Sequence, residues 1–245
     1  MRNVSAGFSH EDTLTYLPRK TLQNYGKGQV IYDAQHPPTD LYVVILGRVK
    51  ISNTADDGCQ TVSRIARDEG LFGESCLVAP THCTETATAL DDVVLMSWSR
   101  ADIEAQIDRE PRLGIALSQY FVRQCLELQD RIESMAVHKT PERVMLALLQ
   151  LGSDLGAPTP DGAMRVASLT HTTIAEFVGT TREIVSLQMN RLRRLGLVRY
   201  SRKSIDVYGT AMLENLKQQG MSIPCGWKSW PNKKGDTTVV PGRSK

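Results

Sequence analysis

The sequence predicts an α+β chain of two domains joined by a long helix, and three observations carry this. Between about Val30 and Ser99, short runs of β-branched and aromatic residues alternate with turn signals. From about Arg112 to His138, apolar residues recur at helical spacing. From Thr172 to Ser186, an alanine, a glycine and a valine fall where two short helices would pack across a tight turn. At 245 residues the chain is long enough for two domains of ordinary size, and 41% hydrophobic with 23% charged residues is the composition of a folded globular protein.

The strands come first. Gln29 to Tyr32, Leu41 to Leu46 and Arg48 to Ile51 are separated by Pro37-Pro38 and Gly47, with Asp56-Asp57-Gly58 beyond as a hairpin signal. Gln60 to Ala66 and Glu85 to Trp98 continue the series. Strands at this spacing predict a sandwich or a rolled barrel.

Helices follow. Ser99 is placed to cap a short helix to about Arg109, which Pro111 interrupts. In the long helix, Phe121, Cys125, Leu128, Ile132 and Met135 are spaced four, three, four and three apart, an a/d seam over two heptads. Packing of an amphipathic helix on its own domain gives a similar pattern. The position between two domains and the charged remaining faces favour a two-helix dimer seam. Thr140 as cap and Pro141 in the first turn open the next helix and mark the domain boundary. Leu155 to Gly162, with two prolines and two glycines, reads as a loop.

Thr172 to Ser186 reads as a helix-turn-helix. Ala175 lets the two helices approach closely. Gly179 supplies a turn in the left-handed conformation, and Val185 anchors the second helix in the core. Thr181, Arg182, Glu183 and Ser186 then face outward with side chains able to read base edges in a major groove. The second helix ends at Gly196, and two β-like runs around the polar turn Ser201 to Ser204 form a hairpin wing. From Thr180 to Lys203 there are seven Lys/Arg and one acid. A solvated basic face has the same composition. Behind a helix-turn-helix and on a wing, it predicts phosphate contacts and therefore DNA binding.

The net charge of +2 hides an asymmetry. Residues 1–140 hold fourteen basic and nineteen acidic side chains, residues 141–219 ten and seven, and the remainder five and one. The front half is a poor partner for a polyanion and the back half a suitable one. The absence of eighteen successive apolar residues, and of an apolar core near Met1, predicts a cytoplasmic protein without a membrane partner. Cys59, Cys76, Cys83, Cys125 and Cys225 are odd in number and scattered, so no disulfide framework is expected. They read as small core residues, with Cys125 on the seam; His82-Cys83 is a thin haem-ligand signal. No metal site, required cofactor or catalytic constellation is expected, and the chain is not read as an enzyme.

Gly47 after an apolar run, Gly70 to Ser75, a long helix, then the helix-turn-helix and wing form an order that resembles the cyclic-AMP receptor protein/FNR (Crp/Fnr) family of bacterial transcription regulators. The resemblance covers roughly Tyr16 to Asn215. It implies a cyclic-nucleotide-binding-like β-roll of double-stranded jelly-roll type with flanking helices over residues 1–111, and a dimerisation helix over 112–139. A winged helix-turn-helix over 140–219 and a basic, flexible tail over 220–245 complete the layout. It also implies a homodimer on a two-fold symmetric operator, a recognition helix over about 180–195, and RNA polymerase as partner.

Residue by residue, Arg182 matches the family arginine that donates to a guanine, and Glu183 the glutamate that accepts from a cytosine amine. Leu187 stands where an arginine commonly reads a further guanine; it is expected to touch a thymine methyl or no base. Gln188 takes a usually apolar position. Thr181, Ser186, Asn190 and Arg191 are expected to contact phosphates or to be neutral, and Arg202 and Lys203 on the wing are expected among the DNA contacts.

In members that bind cyclic AMP, the turn matching Phe72-Gly73-Glu74 holds the ribose and an Arg-Ser pair neutralises the phosphate. Here Gly73, Glu74, Ser75, Cys83, Thr84, Glu85 and Gln129 fall in the effector pocket. From Asp68 through Ser99 there are six acids and no Lys or Arg. A buried phosphodiester without a cation loses several kcal/mol or more of solvation, so the residues argue against cyclic AMP in the usual mode. Another effector, or none, is expected. The alternative is a cyclic-nucleotide-binding module that controls a protein partner.

Overall fold

Two four-stranded antiparallel sheets face each other in the N-terminal unit of the computed structural model, which describes residues 12–56, 58–78, 85–167 and 169–221. A short helix α1 (Thr13–Tyr16) precedes β1 (Gln23–Tyr25), β2 (Val30–Tyr32), β3 (Asp40–Leu46), β4 (Val49–Thr54) and β5 (Gln60–Ala66). Then come β6 (Leu71–Phe72), a single 3-10 turn Glu74–Leu77, β7 (Glu85–Ala89) and β8 (Val93–Ser99). One sheet has the order β1-β8-β3-β6 and the other β2-β7-β4-β5.

Strand β3 shows why this half reads as apolar runs. Successive side chains point to opposite faces, and here both faces are covered. Tyr42 and Val44 join Tyr32, Ile51, Phe72 and Leu95 between the sheets, where Tyr42 and Phe72 stack at 5.1 Å. Leu41 and Val43 pack on the other side with Trp98, Ile103, Leu113 and Leu117. The last two groups come from helices. α2 (Arg100–Arg109) starts at a capping box of Ser99 with Asp102, as the sequence predicted. α3 (Arg112–Val137) is the long helix, and the chain divides near its end, with Met1–Ala136 in one compact unit and Val137–Lys245 in the other.

In the C-terminal unit, α4 (Thr140–Leu155) is capped by Lys139 rather than Thr140. Thr140 is already helical, because the Lys139 N–H is satisfied by the Glu142 carboxylate at 2.9 Å and no hydroxyl cap is needed. The predicted loop Leu155 to Gly162 contains β9 (Ala157–Pro158), which pairs with β10 (Met164–Ala167). Pro158 is tolerated there because β9 is an edge strand. α5 (His171–Val178) and α6 (Arg182–Arg194) form the helix-turn-helix. β11 (Val198–Tyr200) and β12 (Ser204–Val207) form the wing, and α7 (Gly209–Gln218) closes the unit. The wing is more than a hairpin: β12 also pairs with β10, in a sheet of order β11-β12-β10-β9. Among the described residues, no helix is long and apolar enough to cross a membrane.

Candidate nucleic-acid interface

The helix-turn-helix is set by backbone chemistry first. Thr170 caps α5, its hydroxyl accepting from the Thr173 N–H at 3.0 Å. Gly179 takes φ 72° and ψ 53°, and its N–H and that of Thr180 both donate to the Ala175 carbonyl. Only glycine adopts that conformation without steric cost. Thr181 caps α6 by accepting from the Ile184 N–H, which places Arg182 and Glu183 in the first turn. Val185, Met189 and Leu192 on α6 are buried, as are Ile174 and Ala175 on α5, and Gln188 is buried with them.

The opposite side of α6 is free. Arg182, Glu183, Leu187, Asn190, Arg191 and Arg194 are exposed, Leu187 at 66%. The Glu183 backbone N–H, then the Thr181 hydroxyl and Arg182, hold the Glu183 carboxyl below its usual range. It is therefore a hydrogen-bond acceptor at neutral pH.

Two expected DNA contacts are tied up within the chain. The Ser186 hydroxyl donates to the Arg182 carbonyl at 2.8 Å and lies 2.9 Å from His171 Nδ1. Asn190 donates to the Ser186 carbonyl at 3.0 Å and accepts from Arg193 and from the Tyr200 hydroxyl, both at 3.1 Å. The Tyr200 ring meets His171 edge-on at 5.8 Å and lies under the Arg193 guanidinium at 5.3 Å. His171, Ser186, Asn190, Arg193 and Tyr200 thus bind α5, α6 and the wing into one cluster. Burial, then Arg182, pushes the His171 imidazole down, so it is neutral at pH 7.

The wing is less basic than its sequence suggests. Asp206 on β12 is 3% exposed and accepts from Arg165 at 2.6 and 3.0 Å and from Arg199 at 3.0 and 2.7 Å. Arg199 also reaches Asp161, whose carboxyl is lowered to about 2 mainly by hydrogen bonds from Thr159 and Tyr208. Arg199, counted in the basic run from Thr180 to Lys203, is therefore engaged within the chain. Arg202 and Lys203, in the exposed turn between β11 and β12, remain among the expected DNA contacts.

The expected effector residues behave differently. Gly73 (φ 80°) opens the turn that carries Glu74 and Ser75, and a Cβ there would lie 2.7 Å from the Asp40 carbonyl oxygen. Tyr32 donates to the Glu85 carboxylate, whose pKa is raised chiefly by burial. Gln129 is exposed, and Cys83 and Thr84 lie outside the described residues, as do His82 and the tail beyond Met221. A cation does reach Glu74, and it comes from β5. Arg64 Nη2 donates to the two Glu74 oxygens at 2.7 and 2.6 Å, while Nη1 donates to Gln124 at 3.0 Å and to the Tyr120 hydroxyl at 3.4 Å. A search confined to Asp68 through Ser99 misses it. The signal was strand periodicity: Arg64 is the cross-strand partner of Ile51, on the same face as the core residues Val49 and Ala66.

Of the expected seam, Cys125, Leu128, Ile132 and Met135 are exposed on α3. Phe121 is not: one turn after Leu117, it is drawn onto its own unit and meets Tyr120 edge-on at 5.7 Å. Ile115, Val122 and Leu126 are exposed apolar residues the seam did not include. Cys76 packs in the core with its thiol pushed up to about 11, mainly by burial. Cys59 is exposed rather than buried, because it follows a hairpin turn at Gly58.

Comparison with known proteins bears on both units. Residues 22–110 match the Cyclic nucleotide-binding domain family and residues 142–216 the Crp-like helix-turn-helix domain family. A CRP-like cAMP-activated global transcriptional regulator of Mycobacterium tuberculosis is 29% identical over 189 residues, 76% of this chain and 84% of the relative. A global nitrogen regulator of Synechocystis is 26% identical over 194 residues, 78% and 86% of the two chains. The crystal structure of a CRP/FNR-family transcriptional regulator from Thermus thermophilus superposes with a TM-score of 0.65 at 26% identity, covering 81% of this chain and 98% of that one. FixK2 from Bradyrhizobium japonicum, at 20% identity and a TM-score of 0.69 over 80% and 96%, shares the fold.

Proposed function

The chain belongs to the Crp/Fnr family of bacterial transcription regulators, and on that premise we propose that it is a cytoplasmic homodimer that reads a two-fold symmetric operator without cyclic AMP in the usual mode. It is a Crp-like regulator with a DNA-binding helix-turn-helix. The finer reading rests on one observation: Arg182, Glu183 and Leu187 are exposed on the first turns of α6. A guanidinium makes two bonds to guanine O6 and N7, a carboxylate accepts from cytosine N4, and a leucine side chain offers apolar contact to a thymine methyl. Arg191 and Arg194, with Arg202 and Lys203 on the wing, supply phosphate contacts. The exposed apolar side chains of α3 provide the dimer seam, and RNA polymerase is the partner on promoter DNA. No enzymatic activity is proposed.

Control by another effector, or by protein amount alone, is favoured by the acidic window from Asp68 to Ser99, which holds no Lys or Arg for a cyclic phosphate, and by Arg64, the cation that reaches the site from β5, being engaged by Glu74. A nucleotide-binding module acting on a protein partner would have no use for these exposed side chains on α6.

The test is selection of binding sites from random duplex DNA, followed by anisotropy titrations. Selected sites should show half-sites about 10 base pairs apart, the spacing a two-fold dimer imposes. Arg182→Ala should lose about 1–3 kcal/mol at one base pair per half-site. A loss uniform over all sequences would make Arg182 a phosphate contact, and asymmetric selected sites would refute the dimer. Strict dependence on cyclic AMP would refute the effector reading.

A further inference from the structure

We propose that the N-terminal unit contains a guanidinium-binding site which the chain fills with its own Arg64, so that α3 is held in its working position by an internal ligand. This rests on the reading above that no cyclic AMP is needed, and it supplies a physical reason for it.

The site has two walls. Glu74, on the 3-10 turn, offers both carboxylate oxygens to Nη2, and Gln124 and Tyr120, on α3, offer an amide oxygen and a hydroxyl to Nη1. All are acceptors toward a flat cation, and one guanidinium bridges them because its donors are fixed in a plane. The Arg64 side chain is 18% exposed and that of Glu74 35%, so the guanidinium is the more shielded partner. Neighbouring bonds repeat the connection. The Tyr120 hydroxyl donates to the Leu71 carbonyl at 2.9 Å and accepts from the Leu71 N–H at 3.1 Å. Arg131, two turns further along α3, donates to the carbonyls of Val62 and Ser63 on β5.

Positions 120, 124 and 131 lie on one side of a helix, and Ile115, Val122 and Leu126 on the other, exposed side. The bonds from Arg64 and Tyr120 therefore fix which apolar side chains α3 presents outward. A small molecule that took Glu74 would have to displace Arg64 and release that grip. Such a ligand would switch this regulator off.

The test uses the full chain with Arg64→Ala and ethylguanidinium as the probe. The variant should keep its helix content by circular dichroism, lose at least tenfold in affinity for a selected operator, and exchange amide hydrogens faster along α3. Millimolar ethylguanidinium should restore the affinity of the variant and leave the wild type unchanged; cyclic AMP should do neither. Ethylguanidinium should also raise the melting temperature of the variant and not of the wild type. That measurement needs no DNA, so it stands or falls separately from the operator reading. Arg64→Lys retains a buried positive charge, and thus the fold, but a single ammonium cannot bridge both walls; it should also lose affinity. Wild-type affinity in Arg64→Lys, or a folded Arg64→Ala that shows no thermal response to ethylguanidinium, overturns the proposal.

Discussion

Replacing Asp206 by Asn should destabilise the C-terminal unit and, at the same time, strengthen its binding to DNA of any sequence. The carboxylate is 4% exposed and accepts four bonds, two from Arg165 and two from Arg199. An Asn keeps one acceptor oxygen and turns an NH₂ toward guanidinium donors, so about half of these bonds are lost and a donor faces a donor. Bonds to charged groups contribute about 1.5–3 kcal/mol each. The two arginines are 52% and 58% exposed, so water screens and replaces part of the interaction, leaving a net cost of about 2 kcal/mol. In a unit of roughly 80 residues this lowers Tm by about 8–16 °C. Hydrogen bonds from Arg165, then Arg199, hold the Asp206 carboxyl below its usual range. Its stabilisation is therefore fully present above the unfolded value near about 3.9 and is lost as pH falls through the folded value. The gap between wild type and variant should be flat from about pH 5 to 8 and close below about pH 4. Freed guanidiniums at 165 and 199 should steepen the salt dependence of non-specific binding by up to about 1.8 in log–log slope. Calorimetry across pH and anisotropy on an unselected duplex measure both effects. A Tm change under about 3 °C at pH 7, or a gap that widens as pH falls below about 4, would refute the reasoning.

Two further outcomes are expected. Gly179→Val forces a β-branched residue to φ 72° and should cost at least about 1–2 kcal/mol, read as a lower urea midpoint with unchanged m-value. Arg202→Ala with Lys203→Ala should weaken selected and unselected duplexes alike and reduce the salt slope by about 2; a loss confined to selected sites would mean that the wing reads bases.

What the sequence disclosed follows the range of the interactions involved. The helix-turn-helix depends on residues within ten positions of one another, and Ala175, Gly179 and Val185 do what their spacing implied. The strands of the first unit were legible because β3 and its neighbours are apolar in unbroken runs. Connections between distant segments were not. Arg64 meets Gln124 across sixty positions, and Arg165 meets Asp206 across forty-one. No local pattern announces such pairs. Charge counting went astray for the same reason, since a count over Thr180 to Lys203 leaves out the acids at 161 and 206 that neutralise Arg199.

The reading face on α6 emerges by subtraction. An asparagine has two donors and two acceptor lone pairs, and Asn190 already uses three of these four within the chain. Reading an adenine with two bonds would need its oxygen, at the expense of the bond from Arg193 or Tyr200. The Ser186 hydroxyl has given its only proton to the Arg182 carbonyl, so it can offer DNA at most an acceptor. The readers left are then Arg182, Leu187 and Glu183, whose carboxylate has lone pairs beyond its bonds to its own N–H and the Thr181 hydroxyl, doubled by two-fold symmetry. At about 1–2 kcal/mol for each base pair read, six such contacts reach the upper part of the roughly 4–10 kcal/mol that separates specific from non-specific binding. A fourth reader per half-site is not needed for selectivity. Ser186 and Asn190 are free to serve as the struts that fix α6 against the wing, and their substitution should blur contact geometry at every base pair rather than change the preference at one.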